Sequence, residues 1–448
     1  MAQDLLVTGG HLVTMDPRLG DLPGADILIR DGIVARIGSI ARQEADGARI
    51  LRAEGHLVLP GLVDTHRHLW QGALGGAASV VSLSGYVGAV LGSIAPGYEA
   101  DDVYAGTLWG ALQALNAGIT TVADWSHNLR GPEHADAAIR ALHHSGIRAV
   151  FLHGGPGSRA AAGAAGERHD EDAVRVFKEH FSGGAERRVR MGLALRGPAF
   201  SAERAVAQDF ALARELGLPV SVHVGMAGFP GSVETLGRLG LLGADVNYVH
   251  ANELTDRELG LIAETGGSIS ITPTTELSMA LGTYPATGAA LARGIRAGLG
   301  ADTIAGSGTD VFSEMRLALA AERSRANADA VARGEAVAEV AFGPRDALKL
   351  ATIGGAGVWG LEREIGTLAV GRQADLITID MTSPHLDAYA DPVSSAVLGA
   401  GSGDVATVVV GGEVVKANGA LAGPYADAAA ELVARSRARL RRRASSDS

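Results

Sequence analysis

The feature of this chain that most limits its fold is a regular alternation of short apolar runs with longer helical patterns through its middle. Such alternation is typical of parallel βαβ units, because a helical crossover must precede each parallel strand. The eight predicted strands are residues 57–68, 120–127, 147–154, 189–197, 218–225, 247–251, 267–273 and 303–310. The predicted helices between them include 101–117, 134–145, 170–181, 201–216, 232–241 and 254–265. Eight such units predict an α/β fold, a (β/α)8 TIM-type barrel.

The two ends of the chain have a different residue pattern from the middle, one that is typical of short β-strands joined by turns. Residues 2–59 and 366–416 carry β-branched runs separated by Gly or Asp-Gly turn signals. If these end segments share a core, they must pair into one small β-sandwich domain beside the barrel. The predicted domains are residues 1–59 and 366–420 for the two parts of the sandwich, 60–365 for the catalytic barrel, and 421–448 for a C-terminal helix and basic tail.

Composition excludes several kinds of site and partner. Cys is absent, so disulfides, thiolate metal sites and Cys nucleophiles are excluded, and any metal needs His and carboxylate ligands. The net charge of −11 argues against nucleic acid as a partner. The first residues lack a basic stretch followed by a long apolar run, so we expect no membrane partner and a cytoplasmic location. The basic run RSRARLRRR near the end favours a solvated helix end that frays, with a partner-binding segment as the alternative.

Polar side chains collect at the C-terminal ends of the predicted strands, where (β/α)8 enzymes hold their active sites. These residues are His66, Arg67, His68, His127, His153, Arg196, His223, His250 and Asp310. His66 and His68 stand two apart on a strand, so both project to the same side. Asp310 follows the predicted eighth strand, which neighbours the first after closure. Together His66, His68, His223 and Asp310 predict a nitrogen and oxygen site suited to Zn²⁺, with Fe²⁺ or Mn²⁺ possible.

Several segments resemble the amidohydrolase superfamily, in the branch that contains cytosine and guanine deaminases and triazine hydrolases. They are PGLVDTHRHLWQ (60–71), AGITTVADWSH (117–127), SVHVG (221–225), VHANELTD (249–256), GSGTD (306–310) and residues 351–380. The resemblance covers nearly the whole chain to about residue 420. It implies that His66, His68, His223 and Asp310 bind the metal. It also implies that His250 contacts substrate or the attacking water, and that Asp310 accepts a proton.

The lysines indicate how many ions the site holds. Lys178, Lys349 and Lys416 are the only lysines, and none ends the fourth strand, where binuclear relatives use a carboxylated Lys as a bridge. We therefore expect the site to hold one divalent ion. We expect the partner of the protein to be a small-molecule substrate. The resemblance also implies a homo-oligomer, specifically a dimer.

The chain departs from this branch after the predicted fifth strand. The branch's deaminases carry His-x-x-Glu there, and the Glu shuttles protons. Here the segment runs from His223 to Met226, and Met cannot transfer a proton. The candidates for a replacement acid are Glu276 first, then His127, His153 and Glu253.

The predicted substrate-binding residues are Trp70, Gln71, Trp125, His127, His153 and Arg196. Aromatic rings at a barrel mouth can stack on a planar substrate, with packing under a lid as the alternative. Arg196 can pair with a carboxylate of the substrate or with an internal one such as Glu276. The long Gly-rich loop 69–100 is expected to cover the mouth. Five other histidines lie in predicted helical stretches, and we expect them at the surface: His134, His143, His144, His169 and His180.

These features predict a metal-dependent enzyme that hydrolyses a non-peptide C–N bond of a small cyclic, heteroaromatic substrate with metal-activated water. Because the shuttle Glu is missing, a lyase or decarboxylase that uses the metal only as a Lewis acid is the alternative. A binding protein with a degenerate site is disfavoured, since the predicted ligands are all present.

Overall fold

The computed structural model describes residues 3–155, 169, 171–183, 188–337, 339, 341–386 and 391–446. The strands are β1 (Leu5–Val13), β2 (Asp21–Arg30), β3 (Ile33–Gly38), β4 (Arg49–Arg52), β5 (His56–Pro60), β6 (Leu62–Arg67), β7 (Ile119–Ser126), β8 (Arg148–Gly154), β9 (Val189–Leu195), β10 (Val220–Val224), β11 (Val246–His250), β12 (Ser268–Ile271), β13 (Arg296–Leu299), β14 (Leu376–Asp380), β15 (Val405–Val410), β16 (Glu413–Ala417) and β17 (Ala420–Leu421).

The α-helices of the described residues are α1 (Leu83–Tyr86), α2 (Ala100–Asn116), α3 (Pro132–Ser145), α4 (Asp172–Val176), α5 (Glu203–Glu215), α6 (Ser232–Arg238), α7 (Asp256–Thr265), α8 (Pro273–Ser278), α9 (Thr287–Ala292), α10 (Val311–Ala332), α11 (Pro344–Lys349), α12 (Gly355–Val358), α13 (Pro392–Gly399) and α14 (Ala426–Ser446). Shorter 3-10 or π segments include Leu69–Leu74, Val87–Ile94 and Phe177–Phe181. No described helix has both the length and the apolar content needed to cross a membrane.

Strands β6 to β13 form the barrel. They pair in parallel and in chain order, and backbone hydrogen bonds between His66, His68 and Asp302 join the last strand to the first. Apolar side chains of the strands and surrounding helices form one large buried cluster between them. This arrangement confirms the predicted (β/α)8 fold.

The eighth strand is β13, so the prediction of a strand at 303–310 is wrong. The helices α8 and α9 follow β12 and leave residues 296–299 to close the barrel. This strand has a weak sequence pattern because its glycines are required by close packing. A Cβ on Gly298 would lie 2.5 Å from the Thr65 side chain, and one on Gly300 would lie 2.7 Å from the His66 carbonyl oxygen.

The two chain ends combine into one mixed sheet of nine strands, as predicted. Its order is β17-β16-β15-β14-β5-β1-β2-β3, and β4 pairs with β1. The ends meet where β14 pairs antiparallel with β5, with Ile377 opposite Leu59. Residues from both ends, such as Ile27 and Leu376, share a buried apolar cluster. A buried ion pair then ties this sheet to the barrel, with Arg148 Nε 2.8 Å from the Asp375 carboxylate.

The C-terminal helix α14 packs on the barrel, which differs from the expected solvated and fraying end. Val433 is buried with Ala73 and Ala105. The Arg437 Nε donates to the Ala73 carbonyl oxygen at 2.8 Å, and the Arg439 side chain donates to the Gly97 carbonyl oxygen at 3.0 Å. Two arginines of the basic run therefore hydrogen-bond to the backbone of the segment between β6 and α2.

Candidate active site

Three imidazoles meet at the C-terminal end of the barrel. His66 and His68 lie at the end of β6 and face the same side, because they are two residues apart. His223 belongs to β10 and projects from the opposite part of the barrel mouth. One ring nitrogen from each of the three lies within 4.8 Å of the others, so these atoms can contact a single ion.

Asp302 supplies a carboxylate to this cluster. Its N–H donates to the His66 carbonyl oxygen at 2.9 Å, and the His68 N–H donates to the Asp302 carbonyl oxygen at 3.0 Å. Its Oδ1 lies 3.4 Å from Nε2 of His66 and 3.2 Å from Nε2 of His68. Burial opposes ionisation of Asp302, but these two contacts outweigh it and hold its pKa well below the usual range. The cluster therefore includes an anionic oxygen donor.

Asp310, the predicted fourth ligand and proton acceptor, is not brought to the cluster. It caps α10 instead: its carboxylate accepts from the Ser313 N–H at 2.8 Å and from the Ser313 hydroxyl at 3.2 Å. The carboxylate that lies beside the histidines is that of Asp302, because β13 ends before Asp302 and residues 303–310 form turns and bends. The backbone of Asp302 has a φ of +55°, a strained conformation that places it at the seam.

The donor set fits a divalent cation. Both ring nitrogens of His66 are buried and lack a hydrogen-bond partner among the described residues. Burial lowers the pKa of His66 to about 4 and the pKa of His223 well below its usual value, so both rings are neutral and able to coordinate a metal. Nδ1 of His68 lies 2.8 Å from the Trp125 carbonyl oxygen, which orients the ring as partners of metal-binding histidines do.

Aromatic rings form a wall beside the histidines. The Trp125 ring centroid lies 4.4 Å from that of His223. The His127 ring lies 4.3 Å from His68 and 5.5 Å from Trp70. Nε1 of both tryptophans is buried without a hydrogen-bond partner in the described parts of the chain. Burial and then the neighbouring His68 lower the pKa of His127 well below its usual value, so its ring is neutral.

Gln71 and two tyrosines of the loop 69–100 lie behind this wall. Gln71 Nε2 donates to the Tyr86 hydroxyl oxygen at 2.5 Å, and Gln71 Oε1 accepts from the Thr303 hydroxyl. Both polar groups of Gln71 are thus used inside the protein. Tyr98 packs edge-on against Trp70 with 5.0 Å between ring centroids. The sequence pattern predicts the loop but does not point to Tyr86 and Tyr98, whose only signal is their position in it.

His250 lies beside the cluster and contacts Glu276. The His250 ring centroid is 5.2 Å from that of His223 and 5.9 Å from that of His66. Its Nδ1 lies 3.0 Å from the Thr272 hydroxyl and 3.4 Å from Glu276 Oε1. The structure thus brings together two residues that the sequence analysis singled out separately.

His153 and Arg196 lie in a second polar group. Nδ1 of His153 is 3.1 Å from Nε2 of His169, and its Nε2 is 3.5 Å from the Asp172 carboxylate. Burial, followed by His153 and Arg196, lowers the pKa of His169 well below its usual value. His169 and His134 are buried, which corrects the expectation that both lie at the surface.

The segment after β10 holds no carboxylate in the expected place. Met226 is buried, with 3% of its surface exposed. Glu253, one of the alternative acids, is exposed and accepts from the Thr283 N–H at 2.5 Å. Of the two candidate carboxylates, Glu276 and Glu253, Glu276 is the one that contacts a histidine beside the cluster among the described residues. That histidine is His250.

Known proteins are similar to this chain in sequence and in fold. The sequence profile of the Amidohydrolase family matches residues 57–415. A 5'-deoxyadenosine deaminase of Methanosarcina mazei is 30% identical over 424 residues, which cover 92% of each chain. A 5-methylthioadenosine/S-adenosylhomocysteine deaminase of Symbiobacterium thermophilum is 30% identical over 431 residues, which cover 92% of this chain and 93% of the other. An adenosine deaminase from Xanthomonas campestris, solved with bound zinc, shares the fold with a TM-score of 0.83 at 24% identity, covering 98% of this chain and 99% of that one.

Proposed function

We propose, on the premise that this chain belongs to the amidohydrolase family, that it deaminates an adenine-type nucleoside or a close analogue. The chain is a metal-dependent hydrolase of non-peptide C–N bonds, as its family and deaminase relatives show. That result confirms the sequence prediction and disfavours the non-hydrolytic alternative. The substrate class, the ligand set and the roles of individual residues are the proposal.

The observation that carries the proposal is the contact of the Asp302 carboxylate with His66 and His68, across the mouth from His223. These four residues would hold one divalent ion, with zinc as the first choice and Fe²⁺ or Mn²⁺ as the others, because the set contains three imidazoles and one carboxylate. When bound, such an ion lowers the pKa of a water molecule and makes it a nucleophile near neutral pH.

The protein's own residues would bind and orient the purine. Trp125 and Trp70 present aromatic surface on which a planar base can stack, and each has a buried N–H without a hydrogen-bond partner in the described part of the chain. His127 is neutral, so it can exchange a hydrogen bond with a ring nitrogen. Asp302 takes the proton-accepting role expected for Asp310, and His250 faces the charge that develops at the reacting carbon.

His153 and Arg196 complete the proposed substrate-binding set. They lie at the ends of neighbouring strands, β8 and β9, and a purine that carries a sugar is large enough to extend from the metal cluster toward them. Gln71 would act indirectly, because it holds Tyr86 and Thr303 in place.

Ammonia release from a panel of substrates tests the proposal. The zinc-loaded protein is incubated with 5'-deoxyadenosine, 5-methylthioadenosine, S-adenosylhomocysteine, adenosine, guanine, cytosine and an aminotriazine. We expect release from the adenosine-type compounds, and none from a matched Asp302→Ala preparation. If the loaded protein releases ammonia only from the non-purines, the proposed substrate class is wrong, and release from none contradicts the proposed deamination.

Two further parts of the proposal concern the state of the protein. We expect a homodimer that acts in the cytoplasm. Sedimentation velocity of the purified chain tests the first part, since a monomer at micromolar concentration contradicts it. Fractionation of the source cells tests the second.

A further inference from the structure

The candidate site lacks an obvious group to carry a proton to the departing amine. Deamination converts C–NH2 and water into C–OH and ammonia, so one proton of the water must reach the leaving nitrogen. The side chain three residues after His223 is the buried thioether of Met226, which has no exchangeable proton. This inference rests on the proposed function and concerns the residues that replace that group.

The hydrogen bonds of Thr272 define how His250 is held. The Thr272 hydroxyl lies 3.2 Å from Glu276 Oε1 and donates its proton to that carboxylate. It therefore accepts the Nδ1–H of His250, at 3.0 Å. When the ring carries a single proton, that proton is therefore on Nδ1, and Nε2 is an acceptor that has no hydrogen-bond partner among the described residues. Thr272 and Glu276 thus select one tautomer of His250.

Glu276 is built into this position. Its side chain is fully buried, and Oε1 also accepts from the Thr272 N–H at 2.7 Å. Oε2 lies 3.4 Å from Nδ2 of Asn252. No Lys or Arg among the described residues forms an ion pair with Glu276, and its one ion-pair partner is His250, 3.4 Å away. Its carboxylate is therefore placed to stabilise a protonated imidazole of His250.

The backbone of His250 supports the same assignment. His250 has a φ of +75°, and Ala251 after it has a φ of +64°. Consecutive non-glycine residues in this region cost free energy, and such strain collects where side-chain position matters for function. At this strained end of β11, the His250 ring contacts Thr272 and Glu276 and lies next to His223.

We propose that Glu276, acting through Thr272 and His250, replaces the missing carboxylate in proton transfer. As the water oxygen forms its bond to the amino-bearing carbon, Nε2 of His250 takes one proton from that water, and the second proton, which Asp302 accepts in the proposed function, returns to the C–OH product. Glu276 stabilises the resulting imidazolium through the Nδ1–H. As the C–N bond breaks, Nε2 returns the proton to the leaving nitrogen, which departs as ammonia. Glu276 is a positioning residue in this scheme, and His250 is the catalytic residue.

Kinetics of matched variants test the relay. Positioned general acid–base groups and their supporting partners contribute roughly 10²-fold to rates. We expect Glu276→Gln and Thr272→Val to lower kcat about 100-fold with little change in KM or zinc content, and Thr272→Ser, which keeps the hydroxyl, to retain wild-type kcat. The matched control is Glu314→Gln. Glu314 is another buried carboxyl that accepts from the N–H and hydroxyl of a threonine, Thr274, and it forms no hydrogen bond or ion pair with a histidine among the described residues.

Nitrogen NMR of the histidine rings supplies a readout that needs no substrate. In the wild-type protein, His250 should show a protonated Nδ1 and an unprotonated Nε2, and Glu276→Gln should change these signals while Glu314→Gln leaves them alone. A kcat of Glu276→Gln within threefold of wild type would overturn the relay, and so would an unchanged His250 tautomer. If no purine is deaminated at all, the proposed function fails, yet the NMR measurement still decides whether Glu276 controls His250.

A carboxylate introduced at position 226, where related deaminases carry the Glu and this chain has Met226, gives a direct complementation test. In the double variant Met226→Glu/Glu276→Gln, the new carboxylate stands three residues after His223. We expect it to recover at least about tenfold of the kcat lost in Glu276→Gln, since a positioned acid or base is worth 10²-fold or more. A folded, zinc-bound double variant with no recovery would contradict the view that one carboxylate replaces the other.

Discussion

Asp302 and His68 are joined twice: the His68 N–H donates to the Asp302 carbonyl oxygen at 3.0 Å, and the Asp302 carboxylate lies 3.2 Å from Nε2 of His68. The first contact closes the barrel between its first and last strands. The second builds the candidate metal site. Because both involve the same two residues, the geometry of the candidate site is coupled to the seam of the barrel.

This relationship predicts opposite outcomes for two aspartates near the barrel end. Asp302→Ala should abolish zinc binding and lower kcat/KM by at least about 100-fold, because one of four ligands is lost. Asp310→Ala should keep its zinc and lose about 1 kcal/mol of stability, because it removes an N-cap. Metal analysis of the two purified variants, together with thermal unfolding, checks both. Loss of zinc from Asp310→Ala with retention by Asp302→Ala would reverse the assignment.

The error over these two aspartates shows what the sequence could provide. The approximate positions of seven barrel strands and the pairing of the chain ends followed from apolar periodicity. The eighth strand did not, because glycines stand where a side chain would clash: Gly298 faces the Thr65 side chain and the Gly355 backbone, and Gly300 faces the His66 backbone. Their need for space is a tertiary effect. The motif GSGTD at 306–310 therefore looked like the strand end, while Asp302 passed unnoticed.

Two other features depended on tertiary contacts that no local pattern encodes. Glu276 was a candidate acid from the sequence, but its link to His250 through Thr272 requires β11 and β12 to be neighbours. The basic run near the C-terminus looked solvated, since its apolar residues are few. In the structure it is docked by contacts with residues far away in the chain, among them the Ser436 hydroxyl, which donates to the buried Asp102 at 2.7 Å.

The unpartnered indole N–H of Trp125 predicts a contact with substrate. Trp125→Phe keeps an aromatic ring and removes the donor, so kcat/KM should fall about tenfold if the substrate accepts this hydrogen bond. Trp359→Phe is the matched control, because Nε1 of Trp359 already donates to the Thr65 carbonyl oxygen at 3.3 Å. That variant should lose stability, by about 1 kcal/mol, with kcat/KM unchanged. Equal kinetics for Trp125→Phe and wild type would remove this contact from the proposed site.

The docked helix α14 predicts an effect of a distant arginine on the site. Arg437 holds the Ala73 carbonyl oxygen, in the segment that carries Trp70. Arg437→Ala should lower stability by about 1 kcal/mol and raise KM several-fold, because the aromatic wall loses support. Arg435→Ala is the control, since Arg435 is exposed and pairs only with Glu431 on the same helix among the described residues. Steady-state kinetics and melting temperatures of both variants decide the matter, and identical behaviour of the two would contradict a supporting role.

Glu314 predicts a pH-dependent loss of stability. Burial, only partly offset by hydrogen bonds from Thr274, raises its pKa from an ordinary value of 4.5 to about 8, and the charges of Asp64 and Glu276 add to the rise. The folded protein therefore keeps this proton up to about pH 8, while the unfolded chain releases it near pH 4.5. The stabilisation that protonated Glu314 provides is complete below pH 4.5 and is lost as the pH rises to about 8.

Glu314→Gln isolates this effect, because the amide cannot ionise. The stability of the variant relative to wild type should increase between pH 4.5 and 8, by about 5 kcal/mol at most, and then level off. Melting temperatures measured across that range for wild type, Glu314→Gln and the exposed control Glu264→Gln provide the check. A constant difference between Glu314→Gln and wild type would show that Glu314 is already ionised in the folded protein at pH 5. The rise is expected in this direction only, since a carboxyl with a lowered pKa would give the opposite slope.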